Sequence, residues 1–224
     1  MSKLSLIFLS LLLCSSLPAQ AEESSLIARM QNVEPSLVEI KTVYAKTLRT
    51  KNGHMALASY ERHGAGIIID SSGIIVTNTH IVINAPHIYV SLSNGKIFEA
   101  SILYVDESDF SLLKINSPQR LKAIAWADSS QAQLGQRVIA IGSSDYNYQS
   151  ILNGEITSLI ESRSTGSIEL LELNLELYKG DSGGPILDQD GCLLGLVMAN
   201  RKTEDRKSYA IASNKIRQEY LKYR

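Results

Sequence analysis

Ser182, in the glycine-rich segment Gly180–Gly184, has no histidine C-terminal to it anywhere in the chain. A serine hydroxyl attacks a carbonyl group only when a neighbouring base accepts its proton, so that base would have to lie upstream. In an α/β-hydrolase the catalytic order along the chain is serine, acid, histidine, and this sequence cannot follow that order. If Ser182 is a nucleophile, the order must be histidine, acid, serine.

The chain contains four histidines, all upstream of the serine: His54, His63, His80 and His87. His80 is the best candidate base, because it closely follows the β-branched run Ile74–Thr77, where a strand should end. The best candidate acid is Asp109, which precedes a second apolar run. An aspartate in that place could hold the imidazole in the required tautomer and stabilise the imidazolium that forms.

The first 21 residues have the pattern of a secretory signal, with Lys3, the apolar run Leu4–Leu13 and a small-residue cleavage site at Ala19-Gln20-Ala21. That run is too short to span a bilayer stably. A lipoprotein signal built on Cys14 is the alternative, but leucine precedes Cys14 where a small residue is expected. Cleavage after Ala21 would leave 203 of the 224 residues as a soluble, exported protein.

Composition excludes several other functions. Removal of Lys3 with the signal changes the formal charge only from −1 to −2, so nothing favours binding to nucleic acid. Cys192 would then be the sole cysteine, which excludes an internal disulfide and favours a small buried residue in a strand. No two histidines have metal-ligand spacing, and no metal or organic cofactor is expected.

Short apolar or alternating runs separated by turn residues are typical of a β-sandwich or β-barrel. The turns Ser71–Gly73 and Asn94-Gly95 separate such runs in the first half of the chain, and the Asn-Gly sequence of the second turn predicts a β-hairpin. A second series of short apolar or alternating runs follows the polar stretch before residue 134. It includes a predicted strand over Ile168–Leu177. Residues 44–63 show no period and predict a solvated loop. The spacing of the apolar residues in 214–224 predicts a short helix, with Ile216, Tyr220 and Tyr223 on one side.

Several spaced motifs resemble those of the trypsin-fold serine endopeptidases, and within them the Deg/HtrA-like proteases of the bacterial envelope. The motifs run in the expected order along the chain: Pro35–Ile40, Gly64–Asp70, Thr77–His80, Ala140–Gly142, Asn153–Ser158, Gly180–Pro185 and Tyr209–Asn214. The resemblance implies an all-β protein of two six-stranded antiparallel β-barrels with a chymotrypsin/trypsin-like arrangement. An active site in the cleft between the barrels and a short C-terminal helix complete the expected fold.

The predicted organisation places a signal peptide at 1–21, an N-terminal segment at 22–34 and an N-terminal barrel at 35–120. A linker at 121–133 then leads to a C-terminal barrel and helix at 134–224. Related envelope proteases usually continue into PDZ domains, which this sequence has no room for, so we expect no regulation through a PDZ groove. The resemblance also implies protein or peptide substrates and a homotrimer.

Residue by residue, the resemblance implies that His80 is the general base, Asp109 its orienting acid and Ser182 the nucleophile. The oxyanion hole would use the backbone N–H groups of Gly180 and Ser182. These assignments describe peptide-bond hydrolysis through an acyl-enzyme. A relative that has lost activity and only binds peptides or partner proteins is the alternative.

The substrate pocket would be lined by Leu177, Met198 and Ala199, favouring small or aliphatic side chains before the cleaved bond. Glu176 lies near the place of the specificity acid of trypsins, so a preference for lysine or arginine is the alternative. The alternation of leucines with polar residues over 171–177 points Glu176 toward solvent. Asp181 stands where Deg-like proteases commonly have asparagine, and a loop cation, water or the Glu22 amine could be its partner.

Overall fold

The computed structural model describes residues 29, 31–49, 52, 54–144, 148–177, 180–198 and 207–224. The predicted signal peptide and Glu22 lie outside these residues. The described residues form twelve strands: β1 Leu37–Arg49, β2 Met55–Asp70, β3 Ile74–Thr77, β4 His87–Leu92, β5 Ile97–Val105, β6 Ser111–Ile115, β7 Arg137–Ser144, β8 Tyr148–Glu161, β9 Ile168–Leu173, β10 Pro185–Leu187, β11 Leu193–Val197 and β12 Ser208–Ala212. Helices α1 Thr79–Val82 and α2 Ser213–Tyr220 accompany short 3-10 helices at Glu34–Ser36 and Ser129–Gln131.

The strands form two closed barrels of six, as predicted. The first barrel has the order β1-β2-β3-β6-β5-β4, and the second has the order β10-β11-β12-β9-β8-β7. The predicted turns lie where expected, because Gly73 and Gly95 have positive φ angles of 98° and 80° and their N–H groups close the turns onto Asp70 and Leu92. The all-β two-barrel prediction is confirmed.

Three apolar clusters hold the fold together. One fills the first barrel around Ile40, Ile75 and Leu113, and another fills the second barrel around Leu171 and Leu173. The third joins the barrels, since it contains buried residues from both: Ile67, Ile69, Ile74, Val76, Phe110, Leu112, Ile139, Ile141, Leu187, Leu193, Leu196 and Ile211. Burial of apolar surface between the barrels therefore fixes the position of one relative to the other.

The connection from β6 to β7 runs along both barrels. The N–H groups of Leu121 and Ile124 donate to Ser71 and Ile68 of the first barrel, at 2.9 Å each. Further along, the Leu193 N–H of the second barrel donates to Ala125, and the Ala127 N–H donates back to Leu193. This segment thus adds backbone hydrogen bonds to the apolar contact between the barrels.

The prediction of a solvated loop at residues 44–63 is wrong. Strands β1 and β2 continue through this region as one antiparallel ribbon, with pairs from Leu37 and Ile67 out to Arg49 and Met55. Tyr44 and Tyr60 are opposite each other in the ribbon, and their rings stack with centroids 4.9 Å apart. His63 consequently lies in a strand and not in a polar loop. We call residues 41–63 of these two strands the hairpin arm.

Two other boundaries differ from the sequence predictions. Strand β9 ends at Leu173 and not at Leu177, although Leu175 and Leu177 remain buried while Asn174 and Glu176 are exposed. Helix α2 ends at Tyr220, so Tyr223 lies beyond it and is 41% exposed. Ile216 and Tyr220 face the interior, as predicted. No helix among the described residues is long and apolar enough to cross a bilayer.

Tyr220 ties helix α2 to the first barrel. Its hydroxyl donates to Asp70 at 2.7 Å, and its ring stacks on Trp126 with centroids 6.1 Å apart. Hydrogen bonds from Ser72 and from the Tyr220 hydroxyl lower the pKa of Asp70 to about 2, while burial and the Asp70 carboxylate raise the pKa of Tyr220 to about 12. A folded-state pKa below the unfolded value of about 3.9 stabilises the protein above that pH, and this stabilisation is lost as pH falls toward about 2.

Replacing Tyr220 with phenylalanine removes the hydroxyl and keeps the ring. We expect Tyr220→Phe to lower the free energy of unfolding at pH 7 by about 1–2 kcal/mol, the cost of losing a hydrogen bond to a charged group. The difference from the parent should shrink as pH falls from about 4 to about 2, because the parent then loses the same stabilisation. Urea unfolding at several pH values measures both effects. Tyr223→Phe is the control, and an equal loss in both variants would contradict the assignment.

Candidate active site

His80 and Asp109 are in direct contact in the first barrel. The Nδ1 atom of His80 lies 2.9 Å from Oδ2 and 3.1 Å from Oδ1 of Asp109. The backbone N–H of His80 also donates to Oδ1 at 3.0 Å, so the carboxylate holds both the main chain and the ring. The His80 side chain is 44% exposed and that of Asp109 is 27% exposed. The ring is therefore held on its Nδ1 side while remaining accessible to solvent.

The backbone of Asp109 is hydrogen-bonded to the two residues that precede His80. Its carbonyl accepts hydrogen bonds from the N–H of Thr79 at 3.2 Å and from Nδ2 of the fully buried Asn78 at 2.9 Å. Asp109 has a φ of +70°, a left-handed conformation that aspartate tolerates better than most residues. The contact between His80 and Asp109 could be predicted from the residue types in the sequence. The hydrogen bonds by which Asn78 and Thr79 hold the backbone of Asp109 are visible only in the fold.

Ser182 lies in a tight turn between the end of β9 and β10. The Gly184 N–H donates to the Asp181 carbonyl at 3.0 Å and closes the turn, and the Gly184 carbonyl accepts from the Val197 N–H at 2.9 Å. Gly180 and Gly183 have φ angles of +113° and +82°, which side chains disfavour. Asp181 is completely buried, while Ser182 is only partly buried. This turn presents the serine at the edge of the second barrel.

The serine turn is bound to the first barrel. The carbonyl of Ser182 accepts a hydrogen bond of 2.9 Å from the N–H of Ala65 in β2. Thr77, at the end of β3, donates its Oγ1 proton to the Ala65 carbonyl at 2.7 Å. Because His80 follows Thr77 by three residues, the chain that leads to His80 begins at this junction of the two barrels, beside the serine turn.

The predicted pocket residues pack against different apolar clusters. Leu177 is buried in the cluster inside the second barrel, whereas Met198 is partly buried against the cluster between the barrels. Ala199 lies outside the described residues. Glu176 is exposed, as the alternation predicts.

The other histidines in contact with acids are on the surface of the first barrel. His63 lies 3.3 Å from both Glu39 and Glu61, and His87 lies 3.1 Å from Glu99. Lys41, 2.7 Å from Glu61, holds the pKa of that carboxyl below its usual value. The described part of the chain has no group of three histidine, cysteine or acidic side chains placed to hold a metal ion. Burial raises the pKa of the Cys192 thiol, which disfavours a reactive thiolate.

Two barrels that meet at a serine turn, with a histidine–aspartate pair beside the junction, define the architecture of trypsin-like peptidases. Residues 64–196 match the trypsin-like peptidase domain, and the chain belongs to that family. The solved structure of an HtrA-type protease with a decapeptide superimposes with a TM-score of 0.75 at 19% identity, covering 88% of this chain and 66% of that one.

Relatives with higher identity are HtrA and Deg proteins. Serine protease HTRA1A of Danio rerio is 33% identical over 199 residues, which cover 84% of this chain and 39% of that protein. The periplasmic pH-dependent serine endoprotease DegQ of Escherichia coli is 31% identical over 141 residues, covering 61% of this chain and 31% of that protein. The resemblance to Deg/HtrA proteases is thus confirmed, and the chain spans less than half the length of these relatives.

Proposed function

We propose that this protein is a serine endopeptidase in which Ser182 is the nucleophile, His80 the general base and acid, and Asp109 the residue that orients His80. The observation that carries the proposal is the contact of 2.9 Å between His80 Nδ1 and Asp109. His80 lies three residues beyond Thr77, whose hydroxyl donates to Ala65, the β2 residue that is bonded to the serine turn. Membership of the trypsin-like peptidase family supports it independently.

The aspartate contact determines which imidazole nitrogen carries the proton. A carboxylate accepts hydrogen bonds, so it favours the tautomer with hydrogen on Nδ1 and a lone pair on Nε2. That lone pair takes the Ser182 hydroxyl proton as Oγ attacks the peptide carbonyl, and the resulting imidazolium returns the proton to the leaving amine. Water then hydrolyses the acyl-enzyme by the same route.

The negative charge on the tetrahedral intermediate requires hydrogen-bond donors. The N–H groups of Gly180 and Ser182 are the proposed donors. The φ of +113° at Gly180 supports this role, because it is a conformation that a side chain would disfavour. An oxyanion hole of this kind typically contributes about 3–4 kcal/mol for each donor.

The pocket for the residue before the cleaved bond would be lined by Leu177, Met198 and Ala199 and would favour small or aliphatic side chains. The exposure of Glu176 supports this preference over a preference for lysine or arginine. Unfolded or misfolded exported proteins are the proposed substrates. Periplasmic relatives and the secretory pattern of residues 1–21 support an exported location, and a homotrimer is the proposed assembly.

Covalent labelling and digestion test the proposal together. A fluorophosphonate probe should phosphonylate Ser182 Oγ, with fluoride leaving and the hydroxyl proton passing to His80, and mass spectrometry of the peptide should locate the adduct. The full-length protein should also degrade casein, an unfolded and disulfide-free substrate, and the fragment ends should show which side chain precedes the cleaved bond.

Ser182→Ala should abolish both signals, whereas Ser93→Ala, which alters an exposed turn serine, should retain them. Digestion that persists in Ser182→Ala, or an adduct on another serine, would contradict the proposal. Binding of casein without labelling or cleavage would instead identify an inactive, peptide-binding relative. Cleavage confined to bonds after lysine or arginine would refute the apolar pocket.

A further inference from the structure

The helix that carries His80 is only one turn long, and its carbonyl groups need partners from outside. Backbone N–H groups bond the carbonyls of Thr79 and Val82, through Ile83 and Ala85. The carbonyls of His80 and Ile81 accept hydrogen bonds from side chains instead. Carbonyls at the end of a helix have no intrahelical partner, so these external donors determine how the turn is held.

The side chains that donate to the His80 and Ile81 carbonyls all belong to the hairpin arm. Nη1 of Arg62 donates to the His80 carbonyl at 2.9 Å. The Tyr44 hydroxyl contacts the carbonyls of Ile81 and Ile83 at 3.3 and 3.0 Å. Oγ1 of Thr42 lies 3.2 Å from the Ile81 carbonyl. Three side chains of the arm therefore hold the backbone carbonyl groups of His80 and of the residues that immediately follow it.

Arg62 is itself held in place by the aromatic residues of the arm. Its guanidinium carbon lies 4.7 Å from the centre of the Tyr44 ring, which also stacks on Tyr60. A guanidinium over an aromatic face gains a cation–π attraction, and its planar shape limits the directions in which the N–H groups can point. The stack thus aims Arg62 at the His80 carbonyl even though much of its side chain is exposed.

We propose that Arg62 and Tyr44 are positioning residues for His80, an inference that rests on the proposed role of His80 as the catalytic base. Asp109 holds the N–H and Nδ1 of His80, and the arm holds its carbonyl and the one after it. The His80 residue is consequently fixed from both sides. Without the arm, the Asp109 contacts remain but the His80 and Ile81 carbonyls lose their side-chain donors, and the imidazole gains freedom to move away from the serine.

The test is the activity of Arg62→Ala and Tyr44→Phe in the full chain, normalised to the fraction of Ser182 that the fluorophosphonate titrates. Because small displacements of a catalytic group are costly, we expect kcat on casein to fall about fivefold to twentyfold in Arg62→Ala, with KM within about twofold. Tyr44→Phe keeps the ring stack and loses the hydroxyl, so its kcat should fall about threefold by the same argument. The fluorophosphonate reaction rate should fall in parallel.

Lys41→Ala is the matched control, since Lys41 is a basic residue of the same arm whose partner is Glu61 and not the His80 helix. It should retain the parent kcat. Assays well below the unfolding temperature of each variant separate positioning from loss of stability. A kcat within twofold of the parent in Arg62→Ala, or a rise in KM alone, would overturn the inference.

A nitrogen-15 NMR measurement keeps the inference testable if the proposed function fails. The Nδ1 proton of His80 should give a low-field resonance in the parent, because it is held against Asp109. Arg62→Ala should broaden or shift that resonance, and Lys41→Ala should not. A parent without Ser182-dependent cleavage would refute the proposed function alone, whereas an unchanged resonance in Arg62→Ala would refute the positioning role.

Discussion

Asp109→Asn should reduce kcat about ten-thousandfold while leaving the protein folded. Asparagine has nearly the same shape as aspartate, and its Oδ1 can still accept the His80 backbone N–H that Asp109 now accepts at 3.0 Å. Its NH₂ group then faces Nδ1, which must become an acceptor. The proton moves to Nε2, and the imidazole has no lone pair left for the Ser182 hydroxyl.

Initial rates on casein, together with the rate of fluorophosphonate labelling, measure this loss. A ten-thousandfold change corresponds to about 5 kcal/mol of transition-state stabilisation. Glu107→Gln, which removes one carboxylate from an exposed position two residues away, should stay within about threefold of the parent because an exposed charge contributes little. Activity of Asp109→Asn above a tenth of the parent value would show that Asp109 does not orient the base.

The pairing of His80 with Asp109 could be predicted because it depends on residue type and on order along the chain. Once no histidine followed the serine, few upstream candidates remained, and only His80 closely followed an apolar strand. The burial of alternate leucines over 171–177 was also predictable. An alternation of apolar and polar residues indicates which side of an extended chain is buried, and here it continues beyond Leu173, where the strand pairing ends.

The hairpin arm could not be predicted in the same way. A two-stranded ribbon that extends past the barrel is exposed on much of its surface, so no apolar period marks it. Its order comes from cross-strand pairs such as Tyr44 with Tyr60, whose partners are sixteen residues apart and meet only in one register. The contacts of Arg62 and Tyr44 with the His80 helix depend on that register and leave no local trace in the sequence.

The contact between the serine turn and the first barrel gives the largest expected effect on stability. A β-carbon at Gly183 would lie 2.1 Å from the Ala65 carbonyl oxygen and 2.8 Å from Oγ1 of Thr77. The Ala65 carbonyl oxygen cannot easily move away from the added carbon. Thr77 donates a hydrogen bond to this oxygen, and the N–H of Ala65 is bonded to Ser182. Gly183→Ala must therefore separate the turn from strand β2 as well as accept a φ of +82°.

We expect Gly183→Ala to lower the free energy of unfolding by about 3–5 kcal/mol, of which the left-handed backbone accounts for about 1–2 kcal/mol and the lost contact for the remainder. Gly166→Ala is the control, because Gly166 has a φ of +69° with nothing within 4 Å of the added carbon. It should lose only the backbone part, and urea unfolding of the two variants measures the difference. Since the same contact sets where Ser182 lies, folded Gly183→Ala should also react with the fluorophosphonate far more slowly than folded Gly166→Ala. Equal losses of stability in the two variants would mean that the barrels do not meet closely at the serine turn.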